Sequence, residues 1–315
     1  MLSRTADHLY WMARYTERAE SLARMLEVNY RLSLLPQESQ VIEQGWTATL
    51  TITGMLEAFR QHYPVVTPSD AITFMALDRD NTASIYACLC AARDNARAVR
   101  GALTSEIWES LNSTWLELRA TSVLPASHAE VADFFEWVKF RSHLVRGAIQ
   151  GTLLRDEAFH FTRLGTSLER ADNTARILDV KYHMLLPRGE GAGGAADYYQ
   201  WSALLHSVSA FEIYRKVYRD LITPWRVAEL LILREDLPRS LHRCMSELYS
   251  NLQAVTSGQS AETERRAGQI HASLRFGRID DVFRVGLHEY LVQFLGQIRE
   301  LGERIARDFL VPTSA

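Results

Sequence analysis

Apolar side chains recur at three- and four-residue intervals along almost the whole chain, the period that places them on one face of an α-helix. That pattern predicts helices over 3–34, 38–62, 80–101, 105–120, 127–149, 155–186, 198–221, 224–234, 238–255, 261–276 and 279–310. Residues 63–69, with two prolines, read as a loop. Asp80 and Asp236 stand where helix N-caps are expected, each four residues before a serine, with Pro238 two positions after the second. The glycine-rich stretch near 187–197 is expected to be a flexible loop, inserted where the first half has only a short connection at Pro36. No segment alternates apolar and polar residues between hairpin turns, so the predicted class is all-α.

The pattern also repeats. Residues 8–30, HLYWMARYTERAESLARMLEVNY, match residues 160–182, HFTRLGTSLERADNTARILDVKY, at a shift of 152. His8 falls on His160, Glu17-Arg18-Ala19 on Glu169-Arg170-Ala171, and Arg24 on Arg176, while Glu20 and Glu27 meet Asp172 and Asp179. Trp46, Leu50, Glu57, Phe59 and Tyr63 recur as Trp201, Leu205, Glu212, Tyr214 and Tyr218 at a shift of 155. Asp80, Ser84 and Cys88 recur as Asp236, Ser240 and Cys244 at a shift of 156. Packing requires only generic apolar spacing, so charged residues kept at fixed offsets point to internal duplication. Two homologous helical halves, 1–153 and 154–315, are expected to make one helical-bundle body. The unit is about three times the ~20–50-residue period of solenoids, which argues against a repeat array.

Composition narrows the function classes. At 315 residues with 47% hydrophobic content, the chain can bury a large core. A net charge of −3 gives no global attraction for nucleic acid or anionic membrane. Only Lys139, Lys181 and Lys216 are lysines; arginine, which pairs bidentately with carboxylates and phosphates, carries the rest of the positive charge. High genomic GC content gives the same bias. Cys88, Cys90 and Cys244 sit among apolar residues and fit small core side chains in a reducing compartment. The amino terminus lacks an apolar core with a cleavage site, and no run reaches the ~20 apolar residues of a membrane span. A cytoplasmic protein is expected.

The candidate chemistry lies on the repeated helix. Spacings of three, four and seven place Tyr10, Arg14, Glu17, Ser21 and Arg24 on one stripe, and Thr162, Thr166, Glu169, Asn173 and Arg176 on its duplicate. Glu17 and Arg24 are two turns apart, too far for a direct pair. Their stripe either offers separate carboxylate and guanidinium groups to an adjoining helix or a zwitterionic ligand, or the two equivalent helices pack about a pseudo-twofold axis with Glu17 and Glu169 paired to arginines across it. Arg18 and Arg170 point about 100° away from the glutamates, toward other neighbours. Glu157-x-x-His160 has the spacing of a di-iron ligand pair, but Thr5 stands where a second copy would need its glutamate. No metal site is expected. His8 and His160 fit hydrogen-bonded histidines, and no phosphate loop, nucleophile elbow or paired zinc motif occurs.

The segments HLYWMARYTERAESLAR, SIYACLCAARDNARAVRGALTSEIWESLN and FHFTRLGTSLERADNTARILDV, in that order, resemble the bacterial alpha-E domain family, named for its helices and glutamate-arginine motif. The resemblance covers essentially the whole chain. It implies a setting rather than a reaction: such proteins stand beside, or are fused to, a circularly permuted ATP-grasp ligase. Transglutaminase-like proteins and a proteasome-related peptidase often accompany them. The expected role is therefore a helical partner of an ATP-grasp amide or peptide ligase supplied as a separate chain, which would bring ATP and Mg²⁺. In that role Glu17 and Glu169 would be catalytic, holding or deprotonating an amine. Arg14, Arg18, Arg24, Arg170, Arg176 and Asn173 would bind substrate. The alternative is a non-catalytic scaffold that docks ligase, transglutaminase-like protein and peptidase.

Overall fold

The computed structural model describes residues 1–35, 38–121, 128–185, 195–256 and 260–310, with side chains throughout except at 128, 180–185 and 195–197. Within them the chain is all-helical, without a strand. In order come α1 (Ser3–Ser33), α2 (Ser39–Ile52), α3 (Leu56–Arg60), α4 (Pro68–Ala76) and α5 (Ile85–Ala98). A 3₁₀ turn (Arg100–Ala102) leads to α6 (Ser105–Ala120) and α7 (His128–Thr152). There follow α8 (Glu157–Leu185), α9 (Ala195–Ser207), α10 (Phe211–Tyr218), α11 (Pro224–Leu233) and α12 (Leu241–Val255). The last three are α13 (Ala261–Arg275), α14 (Ile279–Val285) and α15 (Leu287–Phe309). Helix α9 begins at Ala195, so the last residues of the expected 187–197 loop are helical; 186–194 lie outside the described residues.

Two compact units divide the chain: His8–Thr162, and Met1–Asp7 with Arg163–Ala315. The first packs Trp46, Phe59, Met75, Ile85, Ile107 and Phe135 into its core, all but sealed from solvent. In the second, Tyr214, Leu231, Met245, Leu248, Leu291 and Leu301 are fully buried. Tyr214 keeps its hydroxyl satisfied there: it donates to the Leu221 carbonyl at 2.8 Å and accepts from the Thr223 amide at 3.1 Å. Among the described residues no helix is long and apolar enough to cross a membrane.

Helix ends explain where the sequence expectations and the fold part. Ser84 and Ser240, not Asp80 and Asp236, are the N-caps of α5 and α12. Their hydroxyls accept from the amides of Ala87 and Arg243, both at 3.0 Å, and donate to the carbonyls of Asp78 and Arg234. Asp236 instead pairs with Arg234 at 2.7 Å, and that guanidinium holds its carboxyl below the usual range. The stretch after residue 69 contains a helix that apolar periodicity over so few residues does not reveal. Thr67 caps α4 by accepting from the Asp70 amide, its hydroxyl donates back to the Asp70 carboxylate at 2.7 Å, and Pro68 occupies the first turn. Three expected long helices are each two: 198–221 holds α9 and α10, with Ser209 at φ 55° between them. Gly54 at φ 72° separates α2 from α3, and Gly286 at φ 104° separates α14 from α15. Positive φ is open to glycine and costly for other residues.

The α12–α13 hairpin carries two facing histidines. His242 is buried, its Nδ1 donating to the Leu233 carbonyl at 2.9 Å, and its ring lies 5.6 Å from that of His271. Tyr249 stacks on His271 from the other side. Burial first, and His242 second, hold the His271 pKa below its ordinary 6.5. The folded state therefore favours neutral His271, while the unfolded chain takes up a proton as pH falls through 6.5. Stability linked to this group is complete above that value and is lost at lower pH. Urea unfolding from pH 7.5 to 5 should show a falling midpoint, and His271→Gln should flatten that fall.

Glycines supply a second check. A Cβ at Gly286 would collide with the Glu289 side chain in addition to requiring φ 104°, so Gly286→Ala should cost about 1–3 kcal/mol in urea unfolding. Gly147, in the open on α7, should gain about 0.5–1 kcal/mol from the same change.

Candidate functional site

In the first unit, charged residues of α1 and α7 mesh in an antiparallel seam. Along α1 they fall at 17, 20, 24, 27 and 31, and along α7 at 136, 139, 143 and 146. Both rows step by three and four, the spacing that keeps side chains on one facing stripe and is ordinarily filled by leucines. Arg146 Nη1 donates to Glu17 Oε2 at 2.9 Å and also pairs with Glu20. Arg24 grips the other oxygen of Glu20 through Nε at 3.0 Å and Nη2 at 2.8 Å. His143 Nε2 lies 3.2 Å from Arg24 Nη2 and 3.4 Å from Glu20 Oε1. Two turns further on, Glu27 takes Lys139 and Arg31, and Lys139 reaches Glu136 at 2.7 Å.

Burial gives this seam its weight. Glu17 is 1% exposed and Glu20 0%. A carboxylate removed from water carries a desolvation cost of several kcal/mol that only close cations and hydrogen bonds offset. Four carboxylates (Glu17, Glu20, Glu27, Glu136) meet four permanent cations (Arg24, Arg31, Lys139, Arg146), so the charges balance. Ser21 and Ser142 lie buried beside it, and their hydroxyl oxygens find no partner among the described residues.

The sequence-selected residues fall in several surroundings. Glu17 and Arg24 belong to the seam and are linked through Glu20 and Arg146 rather than directly. The Arg14 guanidinium lies over the rings of Tyr10 (5.5 Å) and Trp11 (4.6 Å), and that of Arg18 over Tyr15 (5.5 Å). In the second unit Glu169 is 2% exposed. Arg170 reaches toward the Pro238 carbonyl at 3.5 Å, and Arg176 pairs through two nitrogens with Asp172, at 2.7 and 3.1 Å. Asn173 keeps a buried Nδ2 with no partner among the described residues. Asp179 meets His288 of α15 at 2.7 Å. Beyond Lys139, His143 and Arg146 follow at four and seven residues; beyond His288, Val292 and Leu295 stand at those steps.

His8 Nδ1 donates to Asn95 Oδ1 at 2.8 Å. Asp156 caps α8 through the amides of Ala158 and Phe159, which accounts for the acidic start of the Glu157-x-x-His160 segment. Glu20, Glu27, Arg31, Glu136, Lys139, His143 and Arg146 are the members that sequence reasoning did not select. The signal was the three-four spacing of charge on α1 and α7, which becomes informative only when the two rows are laid antiparallel.

Arg146→Met leaves Glu17 and Glu20 buried with one cation fewer and should cost about 3–5 kcal/mol in urea unfolding. Glu17→Gln, which leaves Arg146 on Glu20, should cost about 1–3 kcal/mol. Ser142→Ala, at an unpartnered hydroxyl, should be close to neutral.

Comparison with known proteins follows this geometry. The Alpha-E model, described as a predicted alpha-helical domain with a conserved ER motif, matches residues 1–310. An uncharacterized protein of Mycobacterium bovis and one of Mycobacterium tuberculosis (strain CDC 1551) are each 25% identical over 94% of this chain. A further M. tuberculosis protein, of strain H37Rv, is 24% identical over the same share. The chain spans 35% of the length of these relatives. No solved structure matches it.

Proposed function

The chain belongs to the Alpha-E family, and we propose that it serves as the helical partner of an ATP-grasp-type amide or peptide ligase present as a separate chain. The observation that carries the partner role is the length of the relatives: the matched region is 35% of a longer polypeptide, so in them it is joined to further chain. The ligase identity comes from the resemblance of the ER-bearing segments. ATP and Mg²⁺ would be bound by that ligase, in the cytoplasm. A transglutaminase-like protein and a proteasome-related peptidase are the further partners of this reading, and this chain is not expected to be active alone.

Between completing an active site and scaffolding, the seam favours scaffolding for the glutamates. A general base must reach its substrate within hydrogen-bond distance. Glu17, at 1% exposure and held by Arg146, is already committed to an internal pair. Glu169 is equally buried. Of the arginines proposed to bind substrate, Arg14 and Arg18 are half-buried with their guanidinium groups over aromatic rings.

We also read the two halves as an ancient duplication. Thr67-Pro68 and Thr223-Pro224 open α4 and α11 in the same way, and Ser84 and Ser240 cap α5 and α12 through the same bonds. The ring pairs Phe59–Tyr63 and Tyr214–Tyr218 are both 4.8 Å apart.

Native purification under mild salt, read by quantitative mass spectrometry, tests the partner role. Stoichiometric recovery of an ATP-grasp protein is the expected outcome; recovery of this chain alone overturns it. In the reconstituted pair, Glu17→Gln should lower amide formation only in proportion to the folded fraction. Loss of turnover by a fully folded Glu17→Gln protein would return Glu17 to a catalytic role.

A further inference from the structure

The face formed by α5, α6 and the loop before them carries a row of arginines set against aromatic rings. The Arg79 guanidinium lies 5.0 Å from the Tyr86 ring, and Tyr86 meets Trp115 edge-on at 5.1 Å. Arg93 and Arg100 both lie over the single indole of Trp108, at 5.7 and 5.3 Å. Arg93 is fixed by Asn112 and by Asp94. On α5, positions 86, 93 and 97 share one side, as do 108, 112 and 115 on α6, and Arg100 follows in the 3₁₀ turn after α5. Arg79, Arg97 and Arg100 are exposed and have no carboxylate within 4 Å among the described residues. Of the nearby acids, Asp94 is spent on Arg93, Asp78 and Asp80 flank Arg79 with no ion pair to it among the described residues, and Glu106 and Glu109 fall off the Trp108–Trp115 stripe.

The fold does not require this row. The α12–α13 hairpin, 156 residues on, makes the same contacts with other chemistry. His242 and His271 meet where Tyr86 and Trp115 do, and the Tyr249 ring packs against Gly268 where Arg93 holds Asn112. In place of Arg79, Arg97, Arg100 and Trp108 stand Glu235, Gln253, Thr256 and Glu264, and Gln253 bonds to Glu264 at 3.2 Å. A hairpin of the same construction is thus built without a single arginine at these positions. The cationic row of α5–α6 is available for recognition.

We propose that the α5–α6 face binds an acidic segment of a companion polypeptide, laid extended along the arginine row. Two features choose carboxylates over a nucleic acid strand. Bases need open aromatic faces to stack on, whereas Trp108 already carries two guanidinium groups and Tyr86 carries Arg79. A guanidinium stacked on a ring still presents its edge for bidentate pairing with a carboxylate. From Tyr86 to Arg97 the helix rises about 16.5 Å, which an extended peptide covers in about five residues at ~3.3 Å each, with Arg100 just beyond. The inference deepens the partner-module reading and rests on it for the source of the segment.

Its test uses the purified full chain and fluorescein-labelled hexaglutamate, read by fluorescence anisotropy, so the outcome is independent of whether a ligase is recovered. The wild-type protein should bind at low salt and release as salt rises. Arg97→Glu with Arg100→Glu should weaken binding at least tenfold. Arg265→Glu with Arg284→Glu, an equal charge change elsewhere, should leave it within twofold. Should the double reversal fail to fold, Arg97→Gln with Arg100→Gln is read instead and should weaken binding at least threefold. No binding by the wild type, equal loss in the control, or a tighter grip on octathymidylate than on hexaglutamate would each overturn the proposal.

Discussion

Everything in the first unit is arranged around one costly decision: two carboxylates, Glu17 and Glu20, are buried on α1, and α7 must bring Arg146 to them. An apolar seam would tolerate many registers, because one leucine replaces another with little loss. A charged seam tolerates one. Sliding α7 by a single turn would move Arg146 from Glu17 toward Arg24, at about 3–5 kcal/mol for the broken buried pair. The ionic pairs therefore act less as glue than as an address. They fix which turn of α7 lies against which turn of α1, and hence where α6, packed on α7, must lie.

The second unit answers the same problem differently. Asp172 and Arg176 settle their charges within α8, and Asp179 takes His288 of α15. Both α1 and α8 carry the Glu-Arg-Ala triplet, while the α5–α6 and α12–α13 faces carry different chemistry behind the same serine caps.

Much of the architecture was legible because helical periodicity is a local signal. The α6 boundaries come directly from it, and α1, α8, α11 and α13 agree to within about two residues. The failures share a cause: they turn on backbone conformation, which side-chain pattern does not report. Gly54 and Gly286 interrupt runs whose apolar spacing continues across the break, and α4 is too short for periodicity to register. Of the seam, the sequence singles out Glu17 and Arg24 but not Arg146 or Lys139. Pairing across more than a hundred residues is a property of the folded register and is invisible along either helix alone. Glu20 was overlooked because it sits three residues from Glu17 and looks like a repeat of it. It is Glu20, not Glu17, that gathers Arg24, Arg146 and His143.

Lys139 gives the seam one more property. It is among only three lysines in the chain, and it is 9% exposed between Glu27 and Glu136. An ammonium so enclosed is shielded from acylating reagents and modifying enzymes while α1 and α7 stay together, and becomes an ordinary primary amine once they part. With so few competing amines, this side chain is a built-in reporter: the chemical reactivity of one nitrogen records whether the seam is closed.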